Sequence, residues 1–295
     1  MIRYTSCPVC KSEAIVPKLK AIDHTVSKEE FSIWHCNNCT ARFTQDVPAQ
    51  DDIGGYYASA DYISHSDTKE GIINSLYHLV RKRTLASKRK LVMSETGINK
   101  GAILDIGCGT GAFLSTMKNA GWTITGLEPD AAARVKAVEL YGINPLEPGK
   151  LFELVPASYN AITMWHVLEH VHQLHEYVRQ IETLLTGKGK LFIAVPNYTS
   201  SDADVYGENW AGYDVPRHLY HFSPQSMEEL LKTYNLKLIA CKPMWFDSFY
   251  VSMLSEKYKN GKGNIFKAVI NGFLSNLKAF GNTKKCSSVI YVIGK

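Results

Sequence analysis

No apolar run in this 295-residue chain approaches the ~20 residues that a membrane-spanning helix needs. The N-terminus, Met-Ile-Arg-Tyr-Thr-Ser-Cys, also lacks the apolar stretch of a secretory signal. A cytoplasmic protein is therefore expected. No P-loop Lys-Ser/Thr pair is present, which argues against ATP or GTP as ligand. Acidic residues are nearly missing from one region. Between Val251 and Lys295 there are eight lysines and one acid, Glu256, so this stretch carries +7 in a chain whose net charge is +5. A second basic cluster is Arg81-Lys82-Arg83 with Lys88-Arg89-Lys90. Such patches suit RNA or an anionic membrane surface, although a solvated face is the plainer reading. Hydrophobic residues at 45% are enough for a core of ordinary size.

Seven cysteines are present, and in a reducing compartment they are not expected to pair as disulfides. Four have a telling arrangement: Cys7-Pro8-Val9-Cys10, a gap of 25 residues, then Cys36-Asn37-Asn38-Cys39. Each C-x2-C turn aims two thiolates at one point, and two turns complete a tetrahedral four-sulfur shell suited to structural zinc. With all four positions filled, no site is left for water or substrate. Phe31-Ser32-Ile33-Trp34-His35 alternates as a short strand between the knuckles. His35 is not needed as a ligand. These features imply a small N-terminal zinc-ribbon-like module over residues 1–45, too small to fold without its metal.

Residues 46–97 read as a linker or lid and a basic helix. Tyr56, Tyr57, Asp61, Tyr62 and His65 either wall a pocket or pack the zinc module onto the core. Leu76, Leu79, Val80 and Leu91 mark the apolar positions of a helix over 71–95.

Ala102-Ile103-Leu104-Asp105-Ile106 reads as a buried strand running into Gly107-Cys108-Gly109-Thr110-Gly111 and then an apolar helix. Glycines let the backbone approach a ligand and take positive φ, and helix-end amides face it. The spacing also fits a dinucleotide pattern with Gly107, Gly109 and Ala112. Asp105 tips the choice. A carboxylate here repels pyrophosphate but suits a cofactor carrying a sulfonium and an ammonium. The next strand ends at Glu128-Pro129-Asp130, where a carboxylate can accept from both ribose hydroxyls. The alternative for Glu128 is a charge favoured at a helix N-terminus.

L-D-I-G-C-G-T-G-A-F-L followed by G-L-E-P-D resembles the class I S-adenosylmethionine-dependent methyltransferases, over roughly residues 98–245. The resemblance implies an α/β fold with a doubly wound, mostly parallel seven-stranded sheet. It implies a cofactor site made of Asp105, Gly107, Cys108, Gly109, Gly111, Glu128, Pro129 and His166, with Cys108 as a small turn residue rather than a nucleophile. The strand Tyr159–Trp165 ends in W-H-V-L-E-H-V, which is similar to the branch containing ubiquinone-pathway O-methyltransferases and sugar-modifying methyltransferases. Asn160 stands where that branch usually has Asp. The Asn/Asp-Pro-Pro-aromatic run of nucleic-acid amino-methyltransferases is absent.

His166 falls beyond the carboxyl end of its strand, where a base is useful. Glu169 and His170 are placed to orient or assist it. After helix 174–186, a Gly187-Lys188-Gly189 turn and strand Lys190–Val195, a long stretch from Tyr198 to Phe222 is expected over the substrate. Asp214, Arg217, His218, Tyr220 and His221 are its candidates for binding and proton transfer, with His218, His221 and Tyr220 joining His166 as the candidate catalytic set. This stretch is similar to one in zinc-bearing sugar C-methyltransferases. Ser223-Pro224 opens a helix ending near Tyr234, and the last strands are Leu236–Cys241 and Ser287–Ile293. Between these strands, a helical insert at about 246–284 places Ile265, Phe266, Val269, Ile270, Phe273, Leu274 and Leu277 at helical spacing. Core packing is the expectation for them, and a membrane surface the alternative. The methyltransferase core is thus expected over 98–295.

The leading expectation is methyl transfer to the hydroxyl or carbon of a small molecule such as a sugar or quinone. An RNA methyltransferase is the alternative, and a non-catalytic assembly partner a third.

Overall fold

The computed structural model describes residues 1–58 and 72–295, with the side chains of 72–79 excepted. Asp61, Tyr62, His65 and the Leu76 and Leu79 side chains lie outside that description. Two compact units are formed. One gathers the N-terminal sheet with Leu168–His175 and Ala194–Tyr291; the other gathers the first long helix through Val167 with Glu176–Ile193 and Val292–Lys295.

In the first unit, β1 (Ile15–Ile22), β2 (Glu30–Cys36) and β3 (Arg42–Thr44) form an antiparallel sheet. The expected alternation holds in β2, where Phe31 and Ile33 are buried. Asp23 closes the β1–β2 connection by accepting from the backbone N–H groups of Thr25, Val26 and Ser27, a side-chain mimic of a turn. A fourth strand arrives from far along the chain: β8 (Tyr220–His221) pairs with β3, setting Phe43 opposite Tyr220 and Arg42 opposite His221.

The stretch 198–222 is therefore not a structureless loop. It contains α5 (Ser201–Tyr206), two short 3-10 turns and β8. Tyr198, Tyr206, Trp210 and Tyr213 pack with Phe31 and Ile33 into one cluster. Burying four aromatics is a large apolar gain. Their polar tips are satisfied too: Trp210 Nε1 donates to Asp202 (2.8 Å) and the Tyr206 hydroxyl to Glu256 (3.2 Å).

The larger sheet has six strands, in the order β5-β4-β6-β7-β10-β9. These are β4 (Ala102–Ile106), β5 (Thr123–Leu127), β6 (Tyr159–Trp165), β7 (Leu185–Pro196), β9 (Lys237–Pro243) and β10 (Ser288–Gly294). β4 runs parallel to both β5 and β6. The expected seventh strand is reduced to a single parallel bridge, Leu146 to Leu127, beside β5. Pro145 precedes it and has no N–H to donate, and Pro148 opens a 3-10 turn just after, so the ladder cannot extend. The turn expected at Gly187–Gly189 is instead part of β7. A Cβ on Gly189 would sit 2.9 Å from the Tyr159 carbonyl oxygen, so glycine allows the strand to pass at close quarters. The helices of the second unit include α1 (Ile72–Thr96), α2 (Ala112–Asn119), α3 (Ala131–Tyr141) and most of α4 (Leu174–Leu184).

Back in the first unit, α6 (Pro224–Leu231) starts with a Ser223 capping box. The insert forms α7 (Asp247–Asn260) and α8 (Ile265–Phe280). Here core packing is overturned. Ile265, Phe266, Val269, Ile270, Phe273, Leu274 and Leu277 are exposed, and the buried face of α8 is Ala268, Gly272, Ser275 and Ala279. Gly272 explains the inversion. A Cβ there would meet the Phe249 backbone at 3.0–3.1 Å, so α7 and α8 approach too closely for large residues between them.

Candidate functional site

β4 delivers Asp105 at its end, 1% exposed, where it accepts from the Thr163 hydroxyl at 2.5 Å. Burial pushes the Asp105 carboxyl up to about 7, against the opposing pull of that hydrogen bond and of Lys88. The turn then runs through three left-handed glycines: Gly107 (φ 72°), Gly109 (φ 54°) and Gly111 (φ 80°). Each has its own reason. A Cβ on Gly107 would strike Val167 at 2.4 Å, and Gly111 caps α2. A Cβ on Gly109 meets nothing within 4 Å, so open space lies over the middle of the turn.

Glu128 follows β5 and is buried. One carboxylate oxygen accepts from Gly109 N (2.7 Å) and the other from Asp130 N (2.9 Å). Burial raises its pKa, and these backbone bonds oppose the rise. The acid therefore fixes the glycine turn while keeping lone pairs for a ligand. Pro129 is the next residue, and its carbonyl accepts from Arg134 (2.8 Å). Cys108 is buried, with Sγ directed at Gly126, where a Cβ would meet it at 2.8 Å. Burial and the two acids push its thiol up, so it stays protonated, as suits a packing residue rather than a nucleophile. His166 directly follows β6 in the left-handed region, at φ 59°. A non-glycine residue held there is uncommon and is more frequent at functional positions. Asn160 takes a structural part at the strand's other end, accepting from Ala102 N (2.9 Å). Asp105, the glycines, Glu128 and His166 thus belong to one unit.

The other unit holds two further groups. Cys7, Cys10, Cys36 and Cys39 bring their sulfurs within 4.8 Å of one another, with Cys7–Cys39 and Cys10–Cys36 both at 3.6 Å. Sulfurs ~2.3 Å from a tetrahedral zinc stand about 3.8 Å apart, so the spacing fits. His175 supports the first knuckle through Nε2 to the Pro8 carbonyl (2.9 Å).

The second group is Glu169, His170 and His218, whose ligand-type atoms also lie within 4.8 Å of one another. Each imidazole faces a backbone carbonyl with Nδ1: His170 to Arg217 O (3.0 Å) and His218 to Gly212 O (2.9 Å). A carbonyl only accepts, so Nδ1 carries a proton in both rings. Burial and neighbouring His218 draw His170 down to about 4, so it is neutral at pH 7. The Tyr57 hydroxyl lies 3.0 Å from His170 Nδ1. Arg217, 1% exposed, is clamped by Asp214 (2.6 Å) and Asp23 (3.0 Å) and donates to Tyr56 O (2.7 Å).

Tyr220 and His221 sit in the small sheet. The Tyr220 hydroxyl donates to His172 O (3.2 Å). Thr44 donates its hydroxyl proton to His218 O (2.7 Å), so His221 Nε2, 3.1 Å from Thr44 Oγ1, is the donor there. Burial holds His221 well below the usual imidazole range. Tyr57 and Asp23 are not singled out with the site by the sequence. Tyr57 lies in the aromatic stretch that signals a pocket wall; Asp23 gives no signal.

A family model described as a methyltransferase domain matches residues 77–240, more than half of the chain. The chain belongs to the methyltransferase domain family. A ubiquinone biosynthesis O-methyltransferase of Aeromonas salmonicida is 33% identical to this methyltransferase-domain chain over 103 residues, 32% of this chain and 43% of that protein. One from Rickettsia typhi is 24% identical over 209 residues, 63% of this chain and 80% of that one. With 43% of the Aeromonas protein and 62% of one from Xanthomonas campestris spanned, the chain matches only part of each. The fold is similar to that of the magnesium protoporphyrin IX methyltransferase of Synechocystis PCC 6803, solved with bound SAH. The TM-score is 0.52 at 12% identity, over 81% of this chain and 97% of that one.

Proposed function

We propose that this chain is an S-adenosylmethionine-dependent methyltransferase acting on the hydroxyl or carbon of a small molecule such as a sugar or quinone. The observation that carries the reading is the pairing of Asp105 and Glu128 on either side of a turn open above Gly109. Asp105 suits the cationic end of the cofactor, and Glu128 a ribose diol. When bound, the cofactor supplies a methyl group on a sulfonium, whose leaving group is a neutral thioether. The protein's own tasks are to align the acceptor and to take its proton. His166 and His218 are the proposed bases. His218 is held by the bond from Nδ1 to Gly212 O, with its Nε2 3.9 Å from Asp214 Oδ2. Tyr220 and His221 pair with β3 in the small sheet that also carries the segment of His218. The Cys7, Cys10, Cys36 and Cys39 set holds one structural zinc.

Two results test this. Asp105 must be ionised to hold a cation, and its pKa in the free protein is raised to about 7. Cofactor affinity should therefore be constant above that pH and fall about tenfold per unit below it. Calorimetric titration at pH 8, 7 and 6 checks this, and a flat profile removes Asp105 from cation binding. In methyl-transfer assays across sugar and quinol acceptors, His166→Ala or His218→Ala should lower kcat by about 10²–10⁴-fold. Cofactor affinity in His218→Ala should be unchanged. Unaltered turnover in both variants sinks the base assignment.

A further inference from the structure

The helix pair α7–α8 is built with its large residues facing outward. The buried positions of α8 are Ala268, Gly272, Ser275 and Ala279, and those of α7 include Ser248, Ser252 and Ser255. Outside stand Ile265, Phe266, Val269, Ile270, Phe273, Leu274, Leu277 and Phe280, all 47–83% exposed. Phe266, Phe273 and Phe280 recur every seven residues and so form one line along the helix. The exposed surface of these eight residues is on the order of 1,000 Å², above the roughly 300–600 Å² of the largest patch on a typical monomer. A face of this size needs a cover.

The charges decide between covers. Lys259, Lys262 and Lys267 are exposed where α7 turns into α8, Lys278 lies in the last turn of α8, and Lys284, paired with Glu228 (2.9 Å), and Lys285 follow its end. The single acid after Val251, Glu256, is buried and engaged with Tyr206 and Asn260. A second copy of the chain would set lysines against lysines. An anionic bilayer complements both the apolar line and the charge. No described helix is long and apolar enough to cross a membrane, and the exposed line suits a helix lying along the surface. We propose that α7–α8 docks the protein on anionic lipid, with the α8 face in the acyl boundary and the lysines at the phosphates.

Co-sedimentation of the full chain with vesicles tests this. Binding is expected to vesicles with 30% phosphatidylglycerol and to be at least about tenfold weaker to pure phosphatidylcholine. Replacing Phe266, Phe273 and Phe280 together by Glu should abolish binding with far-UV circular dichroism and cofactor affinity unchanged. The triple Lys259→Glu, Lys262→Glu, Lys267→Glu should weaken binding to anionic vesicles about tenfold or more. Binding insensitive to the phenylalanine changes overturns the proposal. So does a stable dimer that ignores vesicles and dissociates on those changes. Neither outcome bears on methyl transfer, which is assayed with soluble acceptors.

Discussion

Cys36→Ser is expected to remove the metal and unfold the small sheet. Structural zinc in comparable four-ligand sites contributes about 10–16 kcal/mol of apparent binding energy at pH 7, more than a domain's typical stability of ~5–15 kcal/mol. Cys36 is also opposite Ile15 in the β1–β2 register, so the knuckle anchors one end of the sheet. The loss should spread through β3 to β8 and the aromatic cluster around Trp210. Elemental mass spectrometry should read about one zinc per wild-type chain and none in the variant. Hydrogen exchange should accelerate over 15–44 and 198–222. Cys241→Ser, outside the four-sulfur cluster, is the control and should keep its metal. A wild-type protein purified without metal and stable to chelators would refute the zinc assignment.

The second large effect is expected at Arg217. Its guanidinium is buried between Asp23 and Asp214, so Arg217→Met leaves one buried and one partly buried carboxylate without their cation. Breaking a buried pair from one side costs about 3–5 kcal/mol. Burial alone would raise both acids, but the guanidinium, joined by the Ser27 and Thr25 hydrogen bonds on Asp23 and the imidazoles beside Asp214, holds Asp23 and Asp214 below the usual carboxylate range. A depressed folded pKa contributes stability that is present above the unfolded value of ~3.9 and lost as pH falls through the folded one. In the variant these acids take up protons more readily. The gap between wild type and variant should therefore be full at pH 7 and shrink below about pH 4. Calorimetric unfolding at both pH values measures it. Adding Asp214→Asn should recover part of the loss, since it removes one uncompensated charge and leaves the Asp23 turn, whose two oxygens accept backbone N–H groups, intact. A gap independent of pH would show that Arg217 acts through packing alone.

What the sequence discloses is local. Leu104 to Gly111 carries the end of a strand and the turn that caps the next helix within eight residues, and the C-x2-C pairs announce themselves by spacing. Long-range partners carry no such signal. Arg217 meets Asp23 at a separation of 194 residues, and Tyr57 meets His170 at 113. Nothing around either residue specifies the other. The aromatics of 198–222 do signal an ordered segment, but composition cannot tell a wall facing a ligand from one facing a neighbouring sheet. Periodicity in α8 locates an apolar face and cannot say which side of the helix is buried. That depends on how closely α7 approaches, which Gly272 permits.

The pairing of β8 with β3 has a consequence for biosynthesis. The edge strand of the small sheet lacks its neighbour until residues 220 and 221 leave the ribosome, some 175 residues after β3 itself. At typical synthesis rates of ~5–20 residues per second, β3 waits on the order of ten seconds with an open edge, a state prone to wrong pairing. A fragment ending at residue 58 would keep that edge permanently, so the cysteine knuckles and the segment around His218 are to be expressed and cut together.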